Sequence, residues 1–216
     1  MSANNNENEH LLEHEWVLWF RPPKNHSSAQ ARSEKQEWEK SQKKYFTART
    51  VEEFWREFHK LPRITPAHPI NCDYSLFREG VKPMWEDEFN KNGGRWTYSV
   101  EQRQSNSNAP LPYIIEQVWL DVMLCLIGEN FDPHGDKIAG GVCGIRPSHR
   151  AHKSPSDMGA KIHIWTKDAS DVEANIRIGE ILKGVLHASD GQLTYSPHET
   201  GSGKSKNNYN QGNLKL

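Results

Sequence analysis

No stretch of the chain approaches the roughly 18 consecutive apolar residues of a membrane span, and the acidic, Asn-rich first ten residues are not those of a signal peptide. Both absences point to a soluble intracellular protein. Cysteine is scarce: Cys72, Cys125 and Cys143 have neither CxxC nor ladder spacing, which reads as reduced, structural thiols and not as a disulfide frame or a metal knot. The Asn25-His26-Ser27 sequon is then without meaning. A large charge of one sign is also missing, since 27 basic side chains stand against 28 acidic ones, net −1. Long-range steering toward nucleic acid is therefore not expected, and any anion must be held locally. Apolar residues make up only 35% of the 216 and mean hydropathy is −0.86, so part of the length is solvated tail or loop. What remains is long enough for one domain with a real core.

Tryptophan is what the chain has in excess, eight residues alongside six tyrosines and seven phenylalanines. Most large indoles fill cores. Residues 1–13 and 199–216 read as flexible tails around a single domain at 14–198. Gly201-Ser202-Gly203-Lys204-Ser205 superficially suggests a phosphate loop, but that motif needs glycine where His198 stands and a helix afterwards. His14 to Arg21 alternates as a strand buried on both faces. Thr50-Val51-Glu52-Glu53 is a capping box opening a helix to Leu61. A nearly apolar helix spans Tyr113 to Glu129 with Gly128 as its left-handed cap. Ser170-Asp171-Val172-Glu173 opens a third helix, with Val172, Ile176, Leu182, Val185 and Leu186 facing inward. Strands are expected near 43–47, 74–77, 95–100, 138–146, 161–166 and 192–196. The sum is an α+β layer, one mostly antiparallel sheet with helices on one face. Residues 101–111 and the basic stretch 147–159 read as long insertions.

Two places carry unusual chemistry. In Lys161-Ile162-His163-Ile164-Trp165 a strand period of two puts both isoleucines in the core and turns Lys161, His163 and Trp165 to the other face. Arg146 joins them if strands 138–146 and 161–166 form a hairpin, which makes a candidate anion site. Pro83-Met84-Trp85-Glu86-Asp87-Glu88, before Gly93 and Gly94, places Trp85 on a loop. An exposed indole beside a carboxylate suits a flat cation: the ring face attracts positive charge and the acid accepts two parallel N–H donors. Trp38, in a segment polar on every side, is the matching second indole.

Set together, Cys72-Asp73-Tyr74-Ser75-Leu76-Phe77, Lys82-Pro83-Met84-Trp85-Glu86-Asp87-Glu88, Asn90-Lys91-Asn92-Gly93-Gly94-Arg95-Trp96 and Leu124-Cys125-Leu126-Ile127-Gly128-Glu129 resemble translation initiation factor 4E, the messenger RNA cap-binding family. Thr50-Val51-Glu52-Glu53-Phe54-Trp55 and Ile164-Trp165-Thr166 agree in order and spacing, from about His10 to His198. The resemblance implies a curved, mostly antiparallel sheet with three long helices on its convex face and the ligand in its concave mouth. It implies that Trp38 and Trp85 sandwich 7-methylguanine, that Glu86 reads its base edge and that Trp165 touches the N7-methyl group. Arg146 and Lys161 match the basic pair on the cap triphosphate, with Arg95 as support. Arg150 and Lys153, in the second insertion, are candidates for further RNA contacts. Long loops at these places are similar to those of divergent trypanosomatid paralogues.

The resemblance also implies a dorsal partner surface of His10, Leu11, Val51, Trp55, Leu120, Asp121, Leu124 and Gly128. It would take a Tyr-x-x-x-x-Leu-hydrophobic helix of a 4G-like scaffold protein or a 4E-binding protein. Leu11 departs from the family, which has proline there, and spacing alone reads Trp55 equally well as a core residue. The implied role is cap binding and translation initiation in the cytoplasm, by a monomer without cofactor, metal or catalysis. The alternatives are a cap-binding repressor, an interaction protein with a lost pocket, and an enzyme using Glu86, Asp87 and Glu88 as a metal cluster.

Overall fold

Seven alternating runs form one sheet in which every pairing is antiparallel, in the order β2-β1-β3-β5-β6-β4-β7. The computed structural model describes residues 9–23, 41–100, 109–147, 158–198 and 214–216. The strands are β1 (Leu11–Arg21), β2 (Lys43–Thr50), β3 (Cys72–Arg78), β4 (Gly94–Val100), β5 (Ile138–Pro147), β6 (Met158–Thr166) and β7 (Leu193–Pro197). The helices lying wholly within the described residues are α1 (Val51–Phe58), α2 (Leu111–Ile127) and α3 (Val172–Val185). Register shifts between β1 and β2 and between β5 and β6 add to the natural twist of the sheet and curve it.

The expected layer is present, with adjustments at the ends. Strand β1 starts at Leu11, inside the segment expected as tail, because the backbone there is held: Val51 N donates to His10 O at 2.9 Å. At the other end Leu214–Leu216 lies along β7, with Tyr195 N donating to Leu214 O and Leu216 N to Leu193 O. Of the insertions, Pro147 closes β5 while Met158 and Gly159 open β6, and residues 101–108 and 148–157 lie outside the described residues. Helix α1 is short, eight residues.

Each helix start and stop has an identifiable cause. The Thr50 side chain caps α1 by accepting from Glu53 N at 3.1 Å, while Glu53 reaches back to Arg49 N at 2.8 Å. For α3 the cap is Asp171 and not Ser170: Asp171 accepts from Ala174 N at 3.1 Å, and Ser170 is bound to Asp168. Its inward face is Ala174, Ile178 and Leu182 with Asn175 and Gly179, so Val172 turns outward. The phase follows from close packing on Trp96, whose indole N–H donates to Asn175 O at 2.9 Å; a Cβ on Gly179 would run into Cζ2 of that ring.

At the end of α2, Gly128 is not left-handed (φ −84). The left-handed residue is Glu129 (φ 50), and Glu129 N to Leu126 O with Asn130 N to Cys125 O completes a Schellman turn. A glutamate tolerates this backbone because its carboxylate is needed there. It accepts from buried Arg78 at 3.2 and 3.3 Å and lies 2.7 Å from His14 Nδ1.

The main core lies between the sheet and the helices, where Leu18, Tyr74, Leu76, Cys143, Ile162, Ile164 and Trp96 pack with Phe54, Ile115, Trp119, Leu126, Ile178 and Leu182. A smaller cluster of Phe77, Ala139 and Trp165 sits on the opposite face. Removing the Glu129 carboxylate leaves the Arg78 charge buried without its partner. Glu129→Gly relieves the left-handed backbone yet is expected to unfold about 2 kcal/mol more easily; urea unfolding with wild-type stability for this variant would refute the ion-pair account.

Candidate functional site

The face of the sheet away from the helices is ordered in three cross-strand rows. Register places Arg21, Asp73, Gly144, Lys161 and Ser99 in the first row. The second is Trp19, Ser75, Val142, His163 and Thr97, and the third Val17, Phe77, Gly140, Trp165 and Arg95. Because side chains alternate, Lys161, His163 and Trp165 share this face while Ile162 and Ile164 enter the core. The β5–β6 hairpin brings Arg146 to it as well. Its guanidinium folds back over Gly144, where an added Cβ would lie 3.0 Å from Nη2, and donates to Asp73 Oδ1 at 2.5 Å and to Cys72 O at 3.0 Å. Arg146 and Lys161 therefore lie together, as expected. Arg95 stands two rows away, directly across from Trp165.

Trp165 is 8% exposed. The exposure that its strand position threatened is removed by Phe77, edge-on at 5.5 Å, and by the His198 ring at 4.4 Å. The Trp165 indole N–H has no partner among the described residues.

Trp85 belongs to the loop between β3 and β4 and is 41% exposed. Its presentation is not left to a slack chain. Asn90, fully buried, donates its amide to Lys82 O at 3.0 Å and Met84 O at 2.9 Å. Asp87 accepts from Lys82 N and Phe89 N at 3.1 and 3.0 Å, and Met84 is buried beneath. Glu86, half-buried, follows Trp85 directly. With Asp87 occupied by backbone donors, the three consecutive acids do not converge, and no group of metal-ligating side chains is gathered among the described residues. Trp38, Arg150 and Lys153 lie outside the described residues.

Charge on the open face is positive around a neutral centre. Burial pushes the His163 imidazole down to about 3, helped by the Arg95, Lys161 and Arg146 charges; its Nδ1 lies 3.0 Å from the Thr97 hydroxyl. Burial, with Arg95, holds His198 near 4. Sequence reading missed His198 as the cover of Trp165, and Asp87 and Asn90 as builders of the Trp85 loop. The latter two stand inside the motif, but the motif names them without saying what they bind.

On the helical side, Trp55 of α1 and Leu120 and Leu124 of α2 are half-buried, packed against the core yet open on one side; Val51 is half-buried as well, while Asp121 and Gly128 are exposed. Trp55 is thus both core-packed and accessible. His10 fixes the start of α1, its ring 2.7 Å from Glu52, and Leu11 is among the most exposed apolar residues. Phe58 of α1 and Glu116 and Trp119 of α2 share the walls of a cavity of about 70 Å³.

Both site histidines are neutral in the fold, with pKa values below the 6.5 of the unfolded chain. Their contribution is complete above pH 6.5 and is lost as pH falls, because the unfolded chain takes up protons first. The melting temperature is expected to drop between about pH 6.5 and 4.5, above the range where ordinary carboxylates titrate, and to drop less in His163→Gln. A flat profile over that window would contradict the assignment.

Comparison with known proteins agrees with this geometry. The sequence profile of the family described as Eukaryotic initiation factor 4E matches residues 11–213. The chain is 34% identical over 195 residues to eukaryotic translation initiation factor 4E-2 of Schizosaccharomyces pombe, covering 89% of this chain and 69% of that one. It is 35% identical over 175 residues to human eukaryotic translation initiation factor 4E, covering 81% and 69%. Among solved structures, Ascaris suum initiation factor 4E-3 with the m7G cap matches at a TM-score of 0.72 and 32% identity, over 90% of this chain and 94% of that one. Caenorhabditis elegans initiation factor 4E-3 with the 4E-binding protein Mextli matches equally, 0.72 and 32%, over 88% and 94%. With this sheet, these helices and these motifs in register, the chain belongs to the eukaryotic initiation factor 4E family.

Proposed function

We propose that the protein binds the 7-methylguanosine cap of messenger RNA on the open face and docks a helical partner on the other, and so links capped RNA to the initiation machinery in the cytoplasm. The observation that supports this most is Trp85: a half-exposed indole followed by Glu86, on a loop stapled by Asp87 and Asn90 whose Val81 and Phe89 pack against the Phe77–Trp165 cluster of the open face. Relatives of the same fold are solved with the m7G cap and with a 4E-binding protein.

In this reading Trp85 and Trp38 stack on the two faces of the methylated base, Glu86 accepts from its Watson–Crick edge and Trp165 abuts the methyl group. N7 methylation leaves a delocalised positive charge on guanine, and each indole contributes up to about 2 kcal/mol to a desolvated cation. Two faces thus favour the methylated base by at most roughly a thousandfold. Arg146 and Lys161, with Arg95 beyond, hold the phosphates. Contacts to the nucleotides that follow fall to Arg150 and Lys153 in this reading. The site binds and does not turn over.

The dorsal stripe of Val51, Trp55, Leu120 and Leu124, with Asp121 at its margin and His10 and Leu11 beside α1, takes an amphipathic Tyr-x-x-x-x-Leu helix. Whether that helix belongs to a 4G-like scaffold or to a repressing 4E-binding protein decides between initiation and repression.

Tryptophan fluorescence is expected to be quenched strongly by 7-methyl-GTP and weakly by GTP, and Trp85→Ala to cut that preference by roughly thirtyfold, one indole's share. A folded Trp85→Ala protein that keeps the full preference would remove the stacking reading. Trp55→Ala is expected to weaken a Tyr-x-x-x-x-Leu peptide by roughly tenfold or more while 7-methyl-GTP still binds; isothermal titration with both ligands separates the two surfaces, and equal peptide affinity would displace Trp55 from the dorsal site.

A further inference from the structure

The first row of the open face holds a third cation, Arg21, at the end of β1. It is opposite Asp73, which is opposite Gly144, which is opposite Lys161. Arg21 and Arg146 share one carboxylate: Arg21 donates from Nε to Asp73 Oδ2 at 2.6 Å and from Nη2 to the same oxygen, while Arg146 takes Oδ1 at 2.5 Å. The Arg21 and Asp73 side chains are each 12% exposed and that of Arg146 is 34% exposed. Arg21 is thus too covered to meet a ligand, and Arg146 is open enough to do so.

Charge counting gives the consequence. One carboxylate closed on Arg146 alone would be a neutral pair, and an incoming phosphate would compete with Asp73 for the guanidinium. Two guanidiniums on the separate oxygens of one carboxylate leave the group at +1, and Lys161 raises the row to +2 at its exposed end. We infer that Arg21 is a positioning residue for phosphate binding: by occupying Oδ2 it half-neutralises Asp73, holds Oδ1 toward Arg146 and leaves the Arg146 charge uncompensated. This rests on the reading of the open face as the cap site. It adds that the strength of the phosphate end is set by a residue that does not touch the ligand.

The test uses the number of phosphates as its readout, because a merely structural role would weaken all ligands alike. Affinities of full-length wild type, Arg21→Met and Asp73→Asn are measured for 7-methyl-GTP and 7-methyl-GMP, with thermal melts for each protein. Arg21→Met is expected to lower the triphosphate-to-monophosphate affinity ratio by roughly fivefold to tenfold, the scale of one charge-assisted contact in a partly exposed site. Asp73→Asn, the opposite change in charge, is expected to raise it. A folded variant of either kind with the wild-type ratio, or Arg21→Met weakening both nucleotides equally, overturns the inference. Failure of the cap reading shows itself separately, as wild-type protein that binds neither methylated nucleotide, and would take this inference with it.

Discussion

Strand register is the constraint on which the rest of this structure depends. Side chains alternate along each strand, so the six antiparallel pairings that join the seven strands sort the residues of the sheet to its two faces. A slip of β6 by one position would send Lys161, His163 and Trp165 into the core and expose Ile162 and Ile164. The burial of those isoleucines with Leu76, Trp96 and Leu126 opposes the slip, each contributing on the order of 2 kcal/mol. The energy that orders the open face is therefore spent on the other side of the sheet. Residues of the site need make few contacts of their own to be accurately placed.

The three rows so ordered form an electrostatic gradient. At one end Trp165 and Phe77 make an apolar patch near the Trp85 loop, bordered by Arg95; at the other Arg21 and Arg146 share a single carboxylate, with Lys161 further along the row. His163, midway, is kept neutral by burial and by the cations around it. A ligand that is aromatic and cationic at one end and polyanionic at the other has the matching polarity. Under the cap-binding function proposed above, a plain nucleotide would meet the basic end equally well but bring no positive charge to the indole, which would locate selectivity at one end and salt-sensitive affinity at the other.

How far this was legible in the sequence varies with the kind of interaction. Period-two alternation names the two faces of β6 correctly, and the capping signal at Thr50 gives α1. Trp85 is identifiable as a loop indole because acids and glycines surround it. Residues whose role depends on tertiary partners are not. Glu129 takes the left-handed position beside an available glycine because Arg78 and His14, distant in sequence, hold its carboxylate. The face of α3 is set by Gly179 and Asn175 against Trp96, a close approach that large-residue periodicity cannot reveal and that turns Val172 outward. Arg21 is a strand-end residue of the right parity, yet only its row shows that it shares Asp73 with Arg146.

The two candidate surfaces lie on opposite sides of one sheet and draw on different parts of the fold. The open face uses odd-numbered β6 residues and a loop stapled by Asp87 and Asn90; the dorsal stripe uses the outer margins of α1 and α2, whose inner margins complete the core. No side chain named for one surface is named for the other, and the sheet, the core and the helices themselves stand between them. Surfaces so separated meet the geometric condition of the proposed bridge between an RNA end and a helical partner, since occupying one would not obstruct the other. The same core enforces both: it sets the register beneath the basic rows and seats the helices that expose Trp55 and Leu124. Loss of core packing should thus disable both surfaces together, whereas substitutions on either surface should act on that surface alone.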